Sequence, residues 1–388
     1  MLRLVSLFLL VAATSTVAVP AQAQDRPLLL GMSLAQTGQL GDIGQAYRRG
    51  LYLWLDEVNA RGGALGRRVE FRIRDDRSDA TLVGGIYEKL LDEDKVDLLV
   101  GPAGSAATVS AMGVAEARRR VIVNGSGADN AVLKRGNRWA FHVPAALQDH
   151  GDHVWPLVRA VGAKKPLLVD RDDTGVGKRL REQADLAGLA VEREAGTSEP
   201  AAVVARARAA GVDALVVAAS GSGAGEFVKA MKKVGYAPRV FIATGAAQPA
   251  FVRAIGQDAE YVIGVLPYSA AQGTPGNAGF VKAFREKYQV LPDFYAACGY
   301  AAGKLVEAGL REAGTLDQDK LRDAFARVKI DSPLGAHEAG KDNMQMGARP
   351  VLFQFQLGRR QVVWPESAAT ANLVVPYPEW AGRKLLTK

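Results

Sequence analysis

Apolar and polar positions along this chain switch repeatedly between a period of about two and one of about 3.6 residues. The short apolar run Leu28–Leu34 predicts a strand. Gly44–Arg61 follows as a helix with Leu51, Leu55 and Val58 on one face. Val69–Arg74 alternates like a strand, Ala80–Leu91 reads as a helix, Val96–Val100 as a buried strand, Ser105–Arg118 as a helix and Val121–Asn124 as a fourth strand. This alternation predicts a parallel sheet flanked by helices. The pattern then restarts. Trp139–Val143 predicts a linking strand, His150–Val161 a helix, Pro166–Asp170 a strand, Val176–Ala187 a helix, Val212–Ala218 a strand, Gly225–Val234 a helix and Arg239–Ala243 a strand, with Val262–Pro267 closing the block. Helices follow at Asn277–Tyr288, Phe294–Glu312 and Asp317–Val328. An extended pair, Val351–Gln356 and Gln361–Trp364, precedes an irregular tail punctuated by Pro365, Pro376 and Pro378. Two open, doubly wound α/β lobes are expected. Ligands of such sheets bind at the carboxyl ends of strands, where the strand order reverses.

The loops at those strand ends carry the chemistry. Gly101-Pro-Ala-Gly104-Ser105-Ala-Ala-Thr108 opens a helix after one strand, and Gly125-Ser126-Gly127-Ala128-Asp129 follows the next. Free N–H groups and the helix dipole there favour an anion, so the two loops side by side suit a carboxylate. The plainer alternative is that Ser105 merely caps its helix. In the second block Asp170-Arg-Asp-Asp173-Thr174-Gly175, Ala219-Ser220-Gly-Ser-Gly223 and Thr244-Gly245 also end strands, and ordinary turn chemistry competes with a binding role at each.

Composition narrows the class. At 48% hydrophobic and 23% charged over 388 residues, the chain reads as a folded soluble protein of two or three domains. Met1 to Ala23 has a basic start, an apolar run from Leu4 to Ala13 and an Ala21-Gln22-Ala23 site, the pattern of a secretory signal cleaved after Ala23. The net charge of +8 is spread over scattered doublets without interleaved aromatics, which argues against nucleic acid. A single cysteine, Cys298, permits no internal disulfide and reads as a small buried hydrophobe. His150 and His153 are expected to be exposed polar residues of one helix, not metal ligands; no metal and no cofactor are expected. Gly177-Lys178 lacks the remainder of a nucleotide P-loop, Gly221-Ser-Gly223-Ala-Gly225 has the wrong spacing for a dinucleotide fingerprint, and no serine sits in a hydrolase elbow. Asp75-Asp76 reads as turn and salt-bridge residues. The chain is not expected to be an enzyme.

Nearly the whole exported chain resembles the periplasmic solute-binding proteins of branched-chain amino acid ABC transporters. The resemblance is carried by Gly31-Met-Ser-Leu-Ala-Gln-Thr37-Gly38, by Asp75-Asp76, by Val100-Gly101-Pro102 with Ser105, by Tyr300-Ala-Ala and most specifically by Asn59-Ala-Arg-Gly62-Gly63-Ala-Leu-Gly66, where the glycines would end a helix in a left-handed cap. It implies a type I periplasmic binding fold: two lobes joined by three crossovers, closing on a ligand in the cleft between them. Residues 1–23 would be the signal peptide, 24–142 with 270–332 the first lobe, and 143–269 with 333–388 the second. By resemblance, Gly104, Ser105, Ser126, Gly127 and Ala128 hold the ligand carboxylate and Tyr295 lines a side-chain pocket. Ile43, Thr174 and Ser220 stand at positions that are aromatic in the leucine, isoleucine and valine binders. Thr244 stands where those carry the carboxylate for the α-ammonium. A buried ammonium without a counter-charge is costly. The expected solute is therefore a small amino-acid-related, aliphatic or aromatic acid, or an amide, unless Asp172 or Asp173 supplies the charge. The expected protein is a periplasmic, monomeric receptor that hands its solute to a membrane permease. The alternative is a ligand-sensing subunit for a signalling or regulatory partner on the same fold.

Overall fold

In the first block the expected strands and helices form in the expected order: β1 (Leu28–Leu34), α1 (Gly41–Ala60), β2 (Val69–Asp75), α2 (Ala80–Asp92), β3 (Leu98–Val100), α3 (Ser105–Ala117), β4 (Ile122–Asn124) and β5 (Ala140–His142). The strands pair in parallel in the order β2-β1-β3-β4-β5. The computed structural model describes residues 26–129, 132, 137–171, 175–195, 199–381 and 383. The expected signal peptide and Asp172, Asp173 and Thr174 lie outside the described residues. Among the described residues no helix is long and apolar enough to cross a membrane.

A 3-10 turn, Leu147–Gly151, and α4 (Val154–Ala160) replace the single helix expected over His150–Val161. His150 and His153 sit in and just after that turn, half-buried, rather than exposed on a helix. The second block runs β6 (Pro166–Asp170), α5 (Val176–Leu186), β7 (Glu192–Ala195), α6 (Pro200–Ala209), β8 (Ala214–Ala218), α7 (Gly221–Lys233), β9 (Val240–Ala243), α8 (Pro249–Ile255) and β10 (Ile263–Leu266). Its parallel strands are ordered β7-β6-β8-β9-β10, the same winding as the first sheet. The chain then returns to the first sheet with α9 (Asn277–Tyr288), α10 (Phe294–Ala313), α11 (Gln318–Phe325) and a hairpin of β11 (Lys329–Ser332) and β12 (Gly335–Glu338), whose flanking Leu334 and Ala348 join the first core. It crosses a third time to add β13 (Val351–Gln356) and β14 (Arg359–Trp364) antiparallel to β10. These are the three crossovers of the two-lobed fold.

Each sheet is buried on both faces, as parallel strands require. Trp54, Phe141, Leu305 and Phe325 fill one face of the first sheet, and Tyr87, Leu99 and Met112 the other. Phe227, Phe241 and Phe353 cover one face of the second sheet, and Trp155, Leu168 and Ile242 the other. Cys298 is fully buried in the first core, as expected of a small hydrophobe. Among its described residues the tail forms a 3-10 turn and otherwise runs irregularly, and Tyr377 and Trp380 fasten it to the second core.

The Asn59-Ala-Arg-Gly62-Gly63 stretch has a direct physical account. Gly62 and Gly63 take φ of +96° and +82°, and their N–H groups close the end of α1 on Asn59 O and Val58 O. The Asn59 side chain then clamps β2 at both polar atoms of one residue. It donates to Val69 O at 3.0 Å and accepts from Val69 N at 2.8 Å. Asp75 and Asp76 are turn residues, as expected, though their bonds go to hydroxyls and backbone amides. Asp75 holds the Gln36–Thr37 turn after β1, and buried Asp76 accepts from Ser33 Oγ at 2.6 Å.

Candidate functional site

Both sheets reverse strand order once in their interior, between β1 and β3 and between β6 and β8. Crevices open at such points. In the first lobe the loops after β3 and β4 meet there. Ser105 does not cap α3. Gly104, at φ +87°, precedes the helix without any side-chain cap, and Ser105 is the first helical residue. Its Oγ accepts instead from the N–H of Ala128 at 3.2 Å and of Asp129 at 3.3 Å. In return Ser126 Oγ accepts from Gly104 N at 2.9 Å. Asn124 Oδ1 accepts from Ser126 N and Gly127 N at 3.1 and 2.8 Å. Asn124 Nδ2 donates to Gly127 O at 2.7 Å and to His142 Nδ1 at 2.9 Å.

The five residues expected to cradle an anion, Gly104, Ser105, Ser126, Gly127 and Ala128, are thus brought into one network. The N–H groups of Gly104, Ser126, Gly127, Ala128 and Asp129 each point to a side-chain oxygen of the network itself. Glycine is required at 125, because a Cβ there would overlap the Tyr47 hydroxyl. Removing the Ser105 hydroxyl in Ser105→Ala is expected to cost about 1 kcal/mol, since two N–H groups lose their acceptor in a half-exposed setting. A chemical denaturation curve unchanged from the parent would show that those two bonds contribute nothing.

In the second lobe a cavity of about 650 Å³ opens at the carboxyl ends of β6, β8, β9 and β10. Its walls include Arg171 after β6, Ser220 after β8, Thr244 after β9, and Val265 and Pro267 at β10, with Gln248 across from them. Ser220 caps α7 by accepting from Gly223 N at 3.4 Å, and Gln248 Oε1 accepts from Gly221 N at 2.8 Å, so α7 begins at the cavity wall. Leu147 and His150 complete the lining from the first crossover. The Leu147 N–H donates to Ala128 O at 2.7 Å, which ties this cavity to the first-lobe loop. Burial pushes the His150 imidazole down to about 4, so it is uncharged at neutral pH. Among the described lining residues Arg171 is the one charged group.

Of the remaining expected residues, Tyr295 lies in the first turn of α10 with its ring 5.3 Å from Phe294, and burial raises its hydroxyl above the usual range. Phe294 faces a narrow seam shared with His150, Leu334 and Arg349. Ile43 sits in the first turn of α1 against the first core. Neither Ile43 nor Tyr295 joins the hydrogen-bonded network. Thr174 lies outside the described residues. His150, Arg171 and Gln248 were not legible as site residues. For Arg171 the signal was present, a cationic side chain directly after a strand, but nothing in the sequence says which residue of that loop faces inward. Among the described residues no group of three or more His, Cys, Asp or Glu side chains can hold a metal ion.

Two similarly wound lobes, three crossovers and polar strand ends facing a cavity define a two-lobed solute receptor. A profile of the periplasmic binding protein family matches residues 27–359, and the chain belongs to that family. Its members bind small solutes, deliver them to permeases in the membrane and are not enzymes. The Leu/Ile/Val-binding protein homolog 8 of Brucella melitensis is 27% identical over 394 residues, covering 94% of this chain and 96% of the relative. Among solved structures, the branched-chain amino acid transporter substrate-binding protein of Streptococcus pneumoniae in complex with isoleucine matches with a TM-score of 0.64, at 22% identity over 90% of this chain and 100% of that one. A solute-binding protein of Rhodopseudomonas palustris in complex with benzoate matches with a TM-score of 0.62, at 21% identity over 91% and 97%. At these identities the structures establish the fold alone. The family implies export to the periplasm.

Proposed function

We propose that this protein is the periplasmic receptor of an ABC importer for a small carboxylate-bearing or amide solute lacking an α-ammonium group. The solute's carboxylate would lie on the loops of Gly104–Ser105 and Ser126–Ala128, and its body in the second-lobe cavity beneath Ser220 and Thr244. The observation that carries this reading is the charge of the cavity wall. Thr244 offers a hydroxyl, Arg171 is cationic, and no acidic side chain appears among the described lining residues. An α-ammonium enclosed there would find no counter-charge among the described residues, at a cost of several kcal/mol. A carboxylate is a stronger acceptor than a hydroxyl. On entering, it takes over the N–H groups of Ala128 and Asp129, and Ser105 turns to donate its proton to the solute. The isoleucine and benzoate complexes of the two solved relatives indicate that this fold accommodates both kinds of solute. The signal peptide would be removed after Ala23. Residues 24–142 with 270–332 and 143–269 with 333–388 would close as two lobes of a monomer.

A thermal-shift screen of the exported form against amino acids, aliphatic and aromatic acids and amides tests this. A ligand at about 100 times its dissociation constant stabilises by roughly 2.7 kcal/mol. The expected hits are acids or amides without an amino group. Thr244→Glu is expected to weaken acid binding by repulsion and to admit leucine. Stabilisation of the parent protein by leucine would overturn the solute class while leaving the receptor in place.

A further inference from the structure

Arg171 is set where the second sheet reverses its strand order. Its backbone N–H donates to Ala218 O at 2.8 Å, which fixes it at the joint ends of β6 and β8 beside Ser220. Its guanidinium carbon stands 5.8 Å from the ring centroid of Phe227, whose side chain is fully buried in α7. The side chain is exposed and borders the cavity. Among the described residues it has no carboxylate partner, whereas Arg61, Arg67, Arg74, Arg118 and Arg206 each pair with one. The carboxylate next to it in sequence, Asp170, is engaged by Arg181. The neighbouring cavity groups, Ser220, Thr244 and the neutral imidazole of His150, carry no formal charge to oppose it. The positive end of α7 lies at the same wall and adds in the same sense.

We propose that Arg171 is the second-lobe anchor for an acidic group of the solute, and that the solute class is a dicarboxylate. One carboxylate rests on the first-lobe loop and the other pairs with the Arg171 fork. This rests on the carboxylate reading of the first-lobe network and extends it to the far end of the ligand. A planar guanidinium with no carboxylate partner among the described residues is suited to a bidentate carboxylate. A monocarboxylate of the same length would leave that guanidinium facing an apolar group. The pairing also gives closure a cause, because a solute charged at both ends finds a polar partner in each lobe.

The test is isothermal titration of the purified protein with two matched pairs, hexanoate against adipate and benzoate against terephthalate. The dicarboxylate of at least one pair is expected to bind about tenfold or more tightly than its partner. In Arg171→Gln the ratio is expected to fall to within about twofold of unity. Arg171→Lys should keep part of the preference as a point charge without the fork. Lys164→Gln, an exposed charge loss in the loop before β6, should keep all of it. Acids that bind without preference, or a preference that survives Arg171→Gln, would overturn the role of Arg171 and leave the carboxylate receptor standing. Binding of leucine with neither pair bound would overturn both. The comparison within the parent protein decides the ligand class even if Arg171→Gln fails to fold.

Discussion

Lowering the pH of the protein from 7 to 4 is expected to remove more than about 5 kcal/mol of stability, most of it between pH 6.5 and 4. About 5 kcal/mol of this comes through His142 and His337, and a further part through His150, whose imidazole burial also holds at about 4. His142 and His337 are both fully buried, and burial pushes each imidazole down to about 4. In the unfolded chain they take up protons near pH 6.5. Between those values the unfolded state binds more protons, so stability falls as the pH drops, by roughly 3 kcal/mol per histidine at most. The two imidazoles also repel when charged. Asp76, Asp149 and Asp152, raised by burial, act in the opposite sense and offset part of the loss at the acid end.

The geometry makes the loss local as well as global. His142 Nδ1 accepts from Asn124, and His337 Nδ1 accepts from Gln345 at 3.0 Å. A proton on Nδ1 turns each acceptor into a donor facing a donor. Asn124 is the residue that holds Ser126 and Gly127, so acid should loosen the anion loop before the rest of the lobe. Urea titrations at pH 7, 5.5 and 4 measure the first effect. A double variant, His142→Gln with His337→Gln, should remove the larger part of the slope and leave the share of His150, because glutamine keeps an acceptor and cannot be charged. Equal stability at pH 7 and 4 in the parent protein would mean that these imidazoles reach water in the native state.

Gly50→Ala is expected to destabilise by about 3 kcal/mol, far more than the usual surface substitution. Helices α1 and α10 cross with backbone against backbone. A Cβ on Gly50 would overlap the carbonyl oxygen of Ala296, one on Gly299 that of Tyr47, and one on Gly303 the Trp54 ring. Carbonyls within helices cannot turn aside as a flexible side chain can, so the helices must separate. Gly85→Ala in α2 is the matched control. Nothing lies within 4 Å of the point where its methyl group would stand, and removing a helical glycine there should gain about 0.5–1 kcal/mol. Identical chemistry with opposite sign isolates packing from helix propensity. Ile43 and Tyr295 occupy the first turns of these two crossing helices, so separating them should also displace both. Equal melting of Gly50→Ala and the parent would show that the crossing relaxes freely.

Much of this fold was legible because both sheets are buried on two faces. Apolar runs such as Leu28–Leu34 and Ala214–Ala218 are wholly buried and stand out from their polar neighbours. The strands that escaped have no such run. β7 reads Glu-Arg-Glu-Ala at the edge of its sheet, and β11 reads Lys-Ile-Asp-Ser on an exposed hairpin. The candidate site was legible only as loops, not as contacts. The loops of Gly104–Ser105 and Ser126–Ala128 were recognisable from glycines and hydroxyls after strands. The role of Ser105 turned on a single residue of helix register, because Gly104 takes the position before the helix and frees the hydroxyl for Ala128 and Asp129. Arg171, Gln248 and His150 meet only through long-range packing, 21 positions apart in sequence for His150 and Arg171 and further for Gln248, and no local pattern encodes that meeting.

A receptor of this kind is emptied as often as it is filled, and the Ser105 hydroxyl bears on the unloading step. If a carboxylate binds these loops as proposed, then on its departure the N–H groups of Ala128 and Asp129 do not have to wait for solvent, because a serine oxygen on their own lobe is within reach to receive them. The proposed site would thus surrender its cargo without passing through bare donors, which would lower the barrier to release at the permease at the expense of some affinity. Tuning that exchange is a task for a single oxygen atom.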